Sequence, residues 1–221
     1  MRLIRFRDEA AWIAAVVAQF AAAADEVRST GRRALHLCLA GGTTPESVYR
    51  AMAALPLRGT EVHLWLGDER DVDTGDESRN GRLVAACFSH AAWDPRPHPW
   101  PSGDRAAACH AYATELAAAL GPRPAFDLVL LGLGADGHAA SLFPGDPILD
   151  VRDGLAAPSV APNAPFGRLS LTYTAFAAAR RLRFLVRGPE KAAAVDRLAA
   201  DDAGLPAARI GGLDKAILYL E

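Results

Sequence analysis

Short, almost wholly apolar segments separated by helical segments constrain the fold of this chain more than any other feature. The clearest are residues 34–40 and 126–133, where polar and apolar residues do not alternate. A strand of this kind is buried on both faces, which is typical of a parallel sheet covered by helices. The same reasoning predicts strands over 2–6, 34–40, 61–67, 126–133, 169–173, 182–186 and 216–220, and helices over 8–28, 45–54, 78–87, 104–120 and 189–200.

This order of strands and helices predicts an α/β fold. We expect a doubly wound, mostly parallel sheet with helices on both faces and a small α+β appendage near residues 143–180. The proline-rich stretch 93–103 and the stretch 143–167 are expected to be loops. With no internal repeat and no low-complexity linker, the chain is expected to form a single domain over 1–221.

Composition and charge exclude several classes of partner. The chain has 24 basic and 26 acidic residues, so neither a nucleic acid nor a membrane surface is expected as a partner. Residues 1–8 alternate charged and apolar residues, unlike a signal peptide, and no apolar run is expected to span a bilayer. Three scattered cysteines suggest neither a disulfide framework nor a metal site, and a cytoplasmic location is expected.

Two polar segments directly follow predicted strands. In folds of this class, ligands bind just outside the carboxyl ends of the strands. The first is Gly41-Gly42-Thr43-Thr44-Pro45, where the glycines allow close backbone approach and a threonine is expected to cap the next helix. Free amides at that helix start favour an anion such as phosphate, and the alternative is a tight turn without a ligand. The second is residues 67–70, where Arg70 is suited to bind phosphate or carboxylate. Ser78 is expected to cap a helix, and residues 78–80 to add polar contacts.

A third segment, residues 132–145, carries the candidate catalytic base. His138 follows a buried strand through a glycine-lined turn, and a histidine there suits general base chemistry. Asp136, two residues earlier, is placed to orient it. Metal binding is the competing role, but no second histidine or cysteine stands at ligand spacing. The remaining histidines are interpreted as structural or exposed: His36, His63, His90, His98 and His110.

These segments, in this order, resemble the 6-phosphogluconolactonase family, which is grouped with the glucosamine-6-phosphate deaminases. The matching motifs are Gly-Gly-Thr-Thr-Pro, Gly-Asp-Glu-Arg and the 132–145 block, with weaker matches at 165–172 and 184–191. The chain departs from the family pattern at Ser78-Arg79-Asn80 and in the tail 210–215. The resemblance implies His138 as base and the following residues at the substrate: Gly41, Gly42, Thr43, Arg70, Arg168 and Lys191.

The resemblance implies a metal-free, cofactor-free hydrolase that acts on a phosphorylated sugar lactone, as a monomer or weak dimer. One alternative is an amino-sugar-phosphate deaminase or aldose–ketose isomerase. In that group, Asp-Gly-His continues with a segment like Ala-Phe-Asn-Glu-Pro, whereas this chain has Ala-Ala-Ser-Leu-Phe-Pro after His138. The other alternative is a non-catalytic sugar-phosphate sensor. Such sensors carry a DNA-binding segment before this fold, and no basic recognition helix precedes the first predicted strand here.

Overall fold

The computed structural model describes residues 1–57, 59–162 and 165–221. The strands in this part of the chain are β1 (Arg2–Phe6), β2 (Ala34–Leu39), β3 (Glu61–Leu66), β4 (Asp68–Arg70), β5 (Pro95–Pro97), β6 (Leu128–Leu131), β7 (Ala156–Ser159), β8 (Arg168–Leu171), β9 (Arg181–Arg187) and β10 (Asp214–Leu220). The α-helices are α1 (Glu9–Ser29), α2 (Glu46–Ala53), α3 (Asn80–Phe88), α4 (Arg105–Leu120), α5 (Tyr173–Phe176) and α6 (Ala192–Ala199). Short 3-10 turns cover Pro147–Asp150, Pro189–Lys191 and Pro206–Arg209.

Seven parallel strands form the main sheet in the order β1-β10-β9-β6-β2-β3-β5. At its centre β2 and β6 are neighbours, and all four residues of β6 are buried. The chain continues from β2 to β3 on one side of this pair, whereas β9 lies on the other side of β6. Loops that follow two such strands diverge and open a crevice at their carboxyl ends. The sheet confirms the predicted α/β class and places two of the three polar segments at one crevice.

A second sheet of three antiparallel strands, β4-β8-β7, confirms the predicted small appendage. Gly67 joins β3 to β4, and its carbonyl accepts a hydrogen bond from the backbone N–H of Leu171 at 2.8 Å. β4 comes from a polar segment for which no strand was predicted, and β7 from the expected loop 143–167. The loop expectation was wrong over β7 because pairing with β8 overrides the local pattern. Residues 163 and 164 of that loop lie outside the described residues.

The two expected helix caps, by a threonine and by Ser78, are also wrong. Asp8 caps α1 by accepting a hydrogen bond from the N–H of Ala11. The N-cap position of α2 is Pro45, and no side chain caps that helix, so the expected threonine cap is absent there. α3 begins at Asn80 after Arg79, and Ser78 does not cap it. Part of the expected loop 93–103 forms β5, which pairs only with β3 at the sheet edge, where proline is tolerated.

Helix α1 corrects the expectation that no segment is long enough to cross a membrane. By length and composition this 21-residue helix passes that test, with a mean hydropathy of 1.4 over an 18-residue window. In the fold, however, one face of α1 packs into the core through Trp12, Val16, Phe20 and Val27, all with no exposed surface. The Nε1–H of Trp12 donates to the carbonyl of Leu218 in β10 at 2.9 Å. The apolar character of α1 is therefore that of a helix covering the sheet.

Candidate active site

Two adjoining cavities, of about 240 Å³ and about 360 Å³, open at the carboxyl ends of the central strands. Asp68, Arg70, His138 and Ala140 line both, so the cavities are two lobes of one cleft. The glycine-loop lobe is also lined by Gly41, Gly42, Thr44, Arg187 and Lys191. The Arg168 lobe is also lined by Asp136, Ser141, Phe143, Pro162 and Arg168. His138 therefore lies where the two lobes meet.

Asp136 and His138 form a hydrogen-bonded pair. The Nδ1 of His138 lies 2.6 Å from Oδ1 of Asp136, and the backbone N–H of His138 donates to the same oxygen at 3.1 Å. Partial burial raises the pKa of Asp136, but the bonds from His138 outweigh it and hold that pKa below its ordinary value. An ionised Asp136 accepts the Nδ1–H of the ring, which leaves Nε2 with a lone pair. This is the arrangement that a general base requires.

The turn that holds this pair depends on the missing side chain of Gly134. The N–H of Gly134 donates to the carbonyl of His138 at 2.8 Å, and Gly137 completes the turn with φ +85°. A Cβ on Gly134 would lie 2.1 Å from Nδ1 of His138 and 2.4 Å from Oδ1 of Asp136. The two side chains thus occupy the space of a methyl group, so this geometry requires glycine at position 134, three residues after the end of β6.

The glycine loop approaches the cleft through Gly41, Gly42 and Thr44. Gly42 has φ +84°, a conformation that favours glycine, and a Cβ on Gly41 would lie 1.8 Å from Oδ1 of Asn80. Thr43, which was expected at the substrate, is exposed and is not among the described residues that line the cleft. The lining threonine is instead its neighbour Thr44, which sequence reasoning did not select.

Asp68 is a buried carboxylate at the meeting point of the lobes. Burial raises its pKa, and the hydrogen bond from Oγ of Ser141, at 2.5 Å, opposes that rise. The side-chain amide of Asn80 also donates to it, at 3.3 Å, and to its backbone carbonyl at 2.9 Å. Asp68 and Ser141 stand inside the motifs noted in the sequence, but only the fold shows that they meet.

Glu69, beside it, has a structural role. Its carboxylate accepts the backbone N–H groups of Arg70, Asn80 and Gly81 at 2.8, 2.6 and 2.9 Å. It also lies 3.4 Å from the guanidinium of Arg79, which is likewise buried. Glu69 thereby satisfies the free amides at the start of α3, which is why Ser78 is not needed as a cap.

Three cations predicted from the sequence line the cleft, in different lobes. Arg70 lines both lobes and donates to the carbonyl of Ser78, and Lys191 lines the glycine-loop lobe from the 3-10 turn before α6. Arg168 lines only the other lobe, where it donates to the carbonyls of Phe166 and Gly167 at 3.1 and 3.2 Å. Burial lowers the pKa of Arg168, and the charge of Arg70, its partner across the β4–β8 pair, lowers it further. Like charges placed opposite each other destabilise a strand pair, and a bound anion would relieve that repulsion.

No group of three or more His, Cys, Asp or Glu side chains is placed to hold a metal ion within residues 1–57, 59–162 and 165–221. The groups that the cleft offers are instead a histidine–carboxylate pair, a buried carboxyl group, arginines, a lysine and the glycine loop. Together they suit the binding of an anionic substrate and the movement of protons by a side chain.

Comparison with known proteins gives a consistent result. Residues 7–218 match the family described as glucosamine-6-phosphate isomerases/6-phosphogluconolactonase. A 6-phosphogluconolactonase from Synechocystis is 37% identical over 175 residues, which cover 76% of this chain and 72% of that protein. One from Streptomyces coelicolor is 35% identical over 211 residues, covering 86% of this chain and 80% of that protein.

Solved structures agree with the sequence matches. The crystal structure of 6-phosphogluconolactonase from Thermotoga maritima has a TM-score of 0.80 and 26% sequence identity, covering 99% of this chain and 98% of that chain. A match of this length includes strands of both sheets. The chain belongs to the family of glucosamine-6-phosphate isomerases and 6-phosphogluconolactonases.

Proposed function

We propose that this protein hydrolyses 6-phospho-D-glucono-1,5-lactone to 6-phosphogluconate, with His138 as the general base. The single observation that carries the proposal is the Asp136–His138 pair at the meeting point of the two lobes, with Nδ1 held at 2.6 Å. Relatives named 6-phosphogluconolactonase that are 37% and 35% identical support the choice of substrate. The sequence after His138 favours a lactonase over a deaminase or isomerase of the same fold.

The reaction begins with proton transfer from water. Nε2 of His138 takes the proton, and the hydroxide that forms attacks the ring carbonyl carbon of the lactone. Asp136 stabilises the imidazolium that results, as the orienting carboxylate of a catalytic triad does. The carbonyl oxygen becomes an oxyanion, for which the loop amides and Arg70 are the candidate donors.

The tetrahedral intermediate then collapses. The bond between the carbonyl carbon and the ring oxygen breaks, and the imidazolium of His138 returns its proton to that oxygen. The product is the open-chain acid, whose carboxyl group ionises at neutral pH. His138 is neutral again, so each turnover consumes one water molecule and requires no oxidant, reductant or second substrate.

Binding of the phosphate positions the lactone for this chemistry. The glycine loop, Arg70 and Lys191 line the same lobe, and the phosphate group is proposed to bind there. The sugar ring then lies against His138 at the junction of the lobes. Binding energy from a group remote from the reaction holds the reactive carbon in place, which raises the rate as well as the affinity.

The first test is hydrolysis of freshly generated 6-phosphogluconolactone, followed by acid release above the spontaneous rate. His138→Ala is expected to lower kcat/KM by about 10²–10⁴-fold, since it removes a general base. His110→Ala, which changes an exposed histidine on α4, is the matched control and should behave as wild type. A His138→Ala enzyme that folds normally and keeps more than about a tenth of wild-type kcat/KM would refute the role given to His138.

A further inference from the structure

Arg187 lines the glycine-loop lobe together with Lys191, at the end of β9. Its guanidinium is held by Glu9, the first residue of α1: Nη1 donates to Oε1 at 2.8 Å and Nη2 to Oε2 at 3.3 Å. A two-point contact of this kind fixes the orientation of the planar guanidinium. Among the described residues, Glu9 does not line the cleft, so it holds Arg187 from outside the lobe.

This ion pair is poorly suited to a purely stabilising role. The side chains of Arg187 and Glu9 are 49% and 42% exposed, and exposed pairs contribute little to the free energy of folding. A guanidinium has five N–H donors, of which Glu9 occupies two. The other three have no hydrogen-bond partner within the part of the chain that the structure describes.

Glu9 also connects two walls of the lobe. The hydroxyl of Ser47, in the first turn of α2, donates to the same Oε1 of Glu9 at 3.4 Å. Since α2 directly follows the glycine loop, Glu9 links the end of β9 to the helix that carries this loop. Through Glu9, Arg187 is thereby connected to the helix that follows Gly41 and Gly42.

We propose that Arg187 is a specificity-determining residue that binds the phosphate dianion of the substrate beside Lys191, and that Glu9 is the residue that positions it. The inference rests on the proposed function, which puts the phosphate in the glycine-loop lobe. A fixed guanidinium with free donors at the edge of a lobe that already contains Lys191 matches the charge and geometry of a phosphate group.

The test compares phosphorylated with unphosphorylated gluconolactone. Arg187→Ala should raise KM for the phosphorylated lactone by about 5-fold or more with a smaller change in kcat, and should affect the slow turnover of the unphosphorylated lactone much less. Arg187→Lys keeps the charge but loses the two-point contact, so its KM should lie between wild type and Arg187→Ala. Lys191→Ala, in the same lobe, should raise KM by roughly 10-fold or more.

Glu9 is tested through its dependence on Arg187. Glu9→Gln should raise KM for the phosphorylated lactone by about 2–3-fold, and the double variant Glu9→Gln/Arg187→Ala should be no worse than Arg187→Ala alone, because Glu9 acts through the guanidinium. Arg50→Ala is the matched control. Arg50 is an exposed arginine paired with Glu46 on α2, and it does not line the cleft among the described residues.

Titration with the product separates this inference from the proposed function. Arg187→Ala should weaken binding of 6-phosphogluconate by about the same factor as KM and should not change binding of unphosphorylated gluconate. If wild type does not hydrolyse the lactone, the proposed function fails, while weaker 6-phosphogluconate binding by Arg187→Ala still supports Arg187 as a phosphate ligand. An Arg187→Ala variant whose KM and product affinity equal those of wild type would overturn the inference, whatever the activity of wild type.

Discussion

At the scale of single residues, the Asp136 carboxylate determines which nitrogen of His138 carries the proton. Both residues were predicted from the sequence, because a short polar turn that follows a buried strand must lie at the carboxyl end of that strand. Residues whose roles depend on distant partners were not predicted. Glu9 and Arg187 are 178 positions apart, and no local pattern connects them. Thr43 was selected in place of Thr44 because the direction of each side chain depends on the positive φ of Gly42.

Asp136→Asn is expected to lower kcat/KM by about 10²–10⁴-fold with little change in KM. An asparagine NH₂ that donates to Nδ1 makes that nitrogen the acceptor, so the proton moves to Nε2 and the ring no longer has a free lone pair towards the substrate. Steady-state kinetics on the phosphorylated lactone measure this. Asp25→Asn, an exposed carboxylate on α1, serves as control. Near-wild-type kcat/KM in Asp136→Asn would mean that His138 does not depend on Asp136.

At the scale of elements, apolar strands were predicted well and polar strands were not. β2 and β6 have strong apolar patterns, β9 has an apolar pattern interrupted by arginines, and all three lie in the predicted sheet. β4 reads Asp-Glu-Arg and β5 reads Pro-Arg-Pro, compositions that favour irregular structure. They are strands because β8 and β3 pair with them, which is tertiary information. β9 also contains three arginines, of which Arg183 is buried with 2% of its surface exposed.

Arg183→Ala is expected to destabilise the protein by about 2–4 kcal/mol, because it removes a buried guanidinium that joins three elements. Arg183 donates to Oε1 of Gln19 at 2.7 Å, to the carbonyl of Asp214 at 2.7 Å and to its carboxylate at 2.5 Å. Arg2→Ala is the control, since Arg2 pairs with the same Asp214 but is 65% exposed; its cost should stay within about 0.5 kcal/mol. Urea unfolding measures both. Equal losses of unfolding free energy in the two variants would show that burial of Arg183 adds nothing to stability.

At the scale of the whole molecule, the cleft lies where the strand order diverges, between β2 and β6. Topology alone therefore locates the cleft once the strand order is known. The sequence predicted correctly that the polar segments lie at the carboxyl ends of the strands. The two-lobed shape was not predictable, because the small sheet that carries Arg168 comes partly from segments without a strand pattern. The fold also buries a carboxylate, Asp68, beneath the junction of the lobes, and this has a cost in stability.

Asp68→Asn is expected to raise the melting temperature at pH 7 and to have a smaller effect at pH 4. Burial raises the pKa of Asp68 in the folded protein above its ordinary value of 3.8. A carboxyl group of this kind favours the folded state below its ordinary pKa, and this contribution is lost as the pH rises through the folded-state pKa. Neutral asparagine avoids that loss. Calorimetry at both pH values measures the difference, and a variant that is less stable than wild type at pH 7 but not at pH 4 would contradict this account.

The methyl-sized space above Gly134 has a consequence for recognising active members of the family. Because the Asp136 and His138 side chains fill that space, a protein that keeps both residues but carries alanine at this position is expected to lose the paired geometry seen here. A survey that scores only the presence of a base, its carboxylate and the cations would count such a protein as an enzyme. Glycine at position 134, which has no functional group, is therefore as informative about activity as the proposed base and its carboxylate.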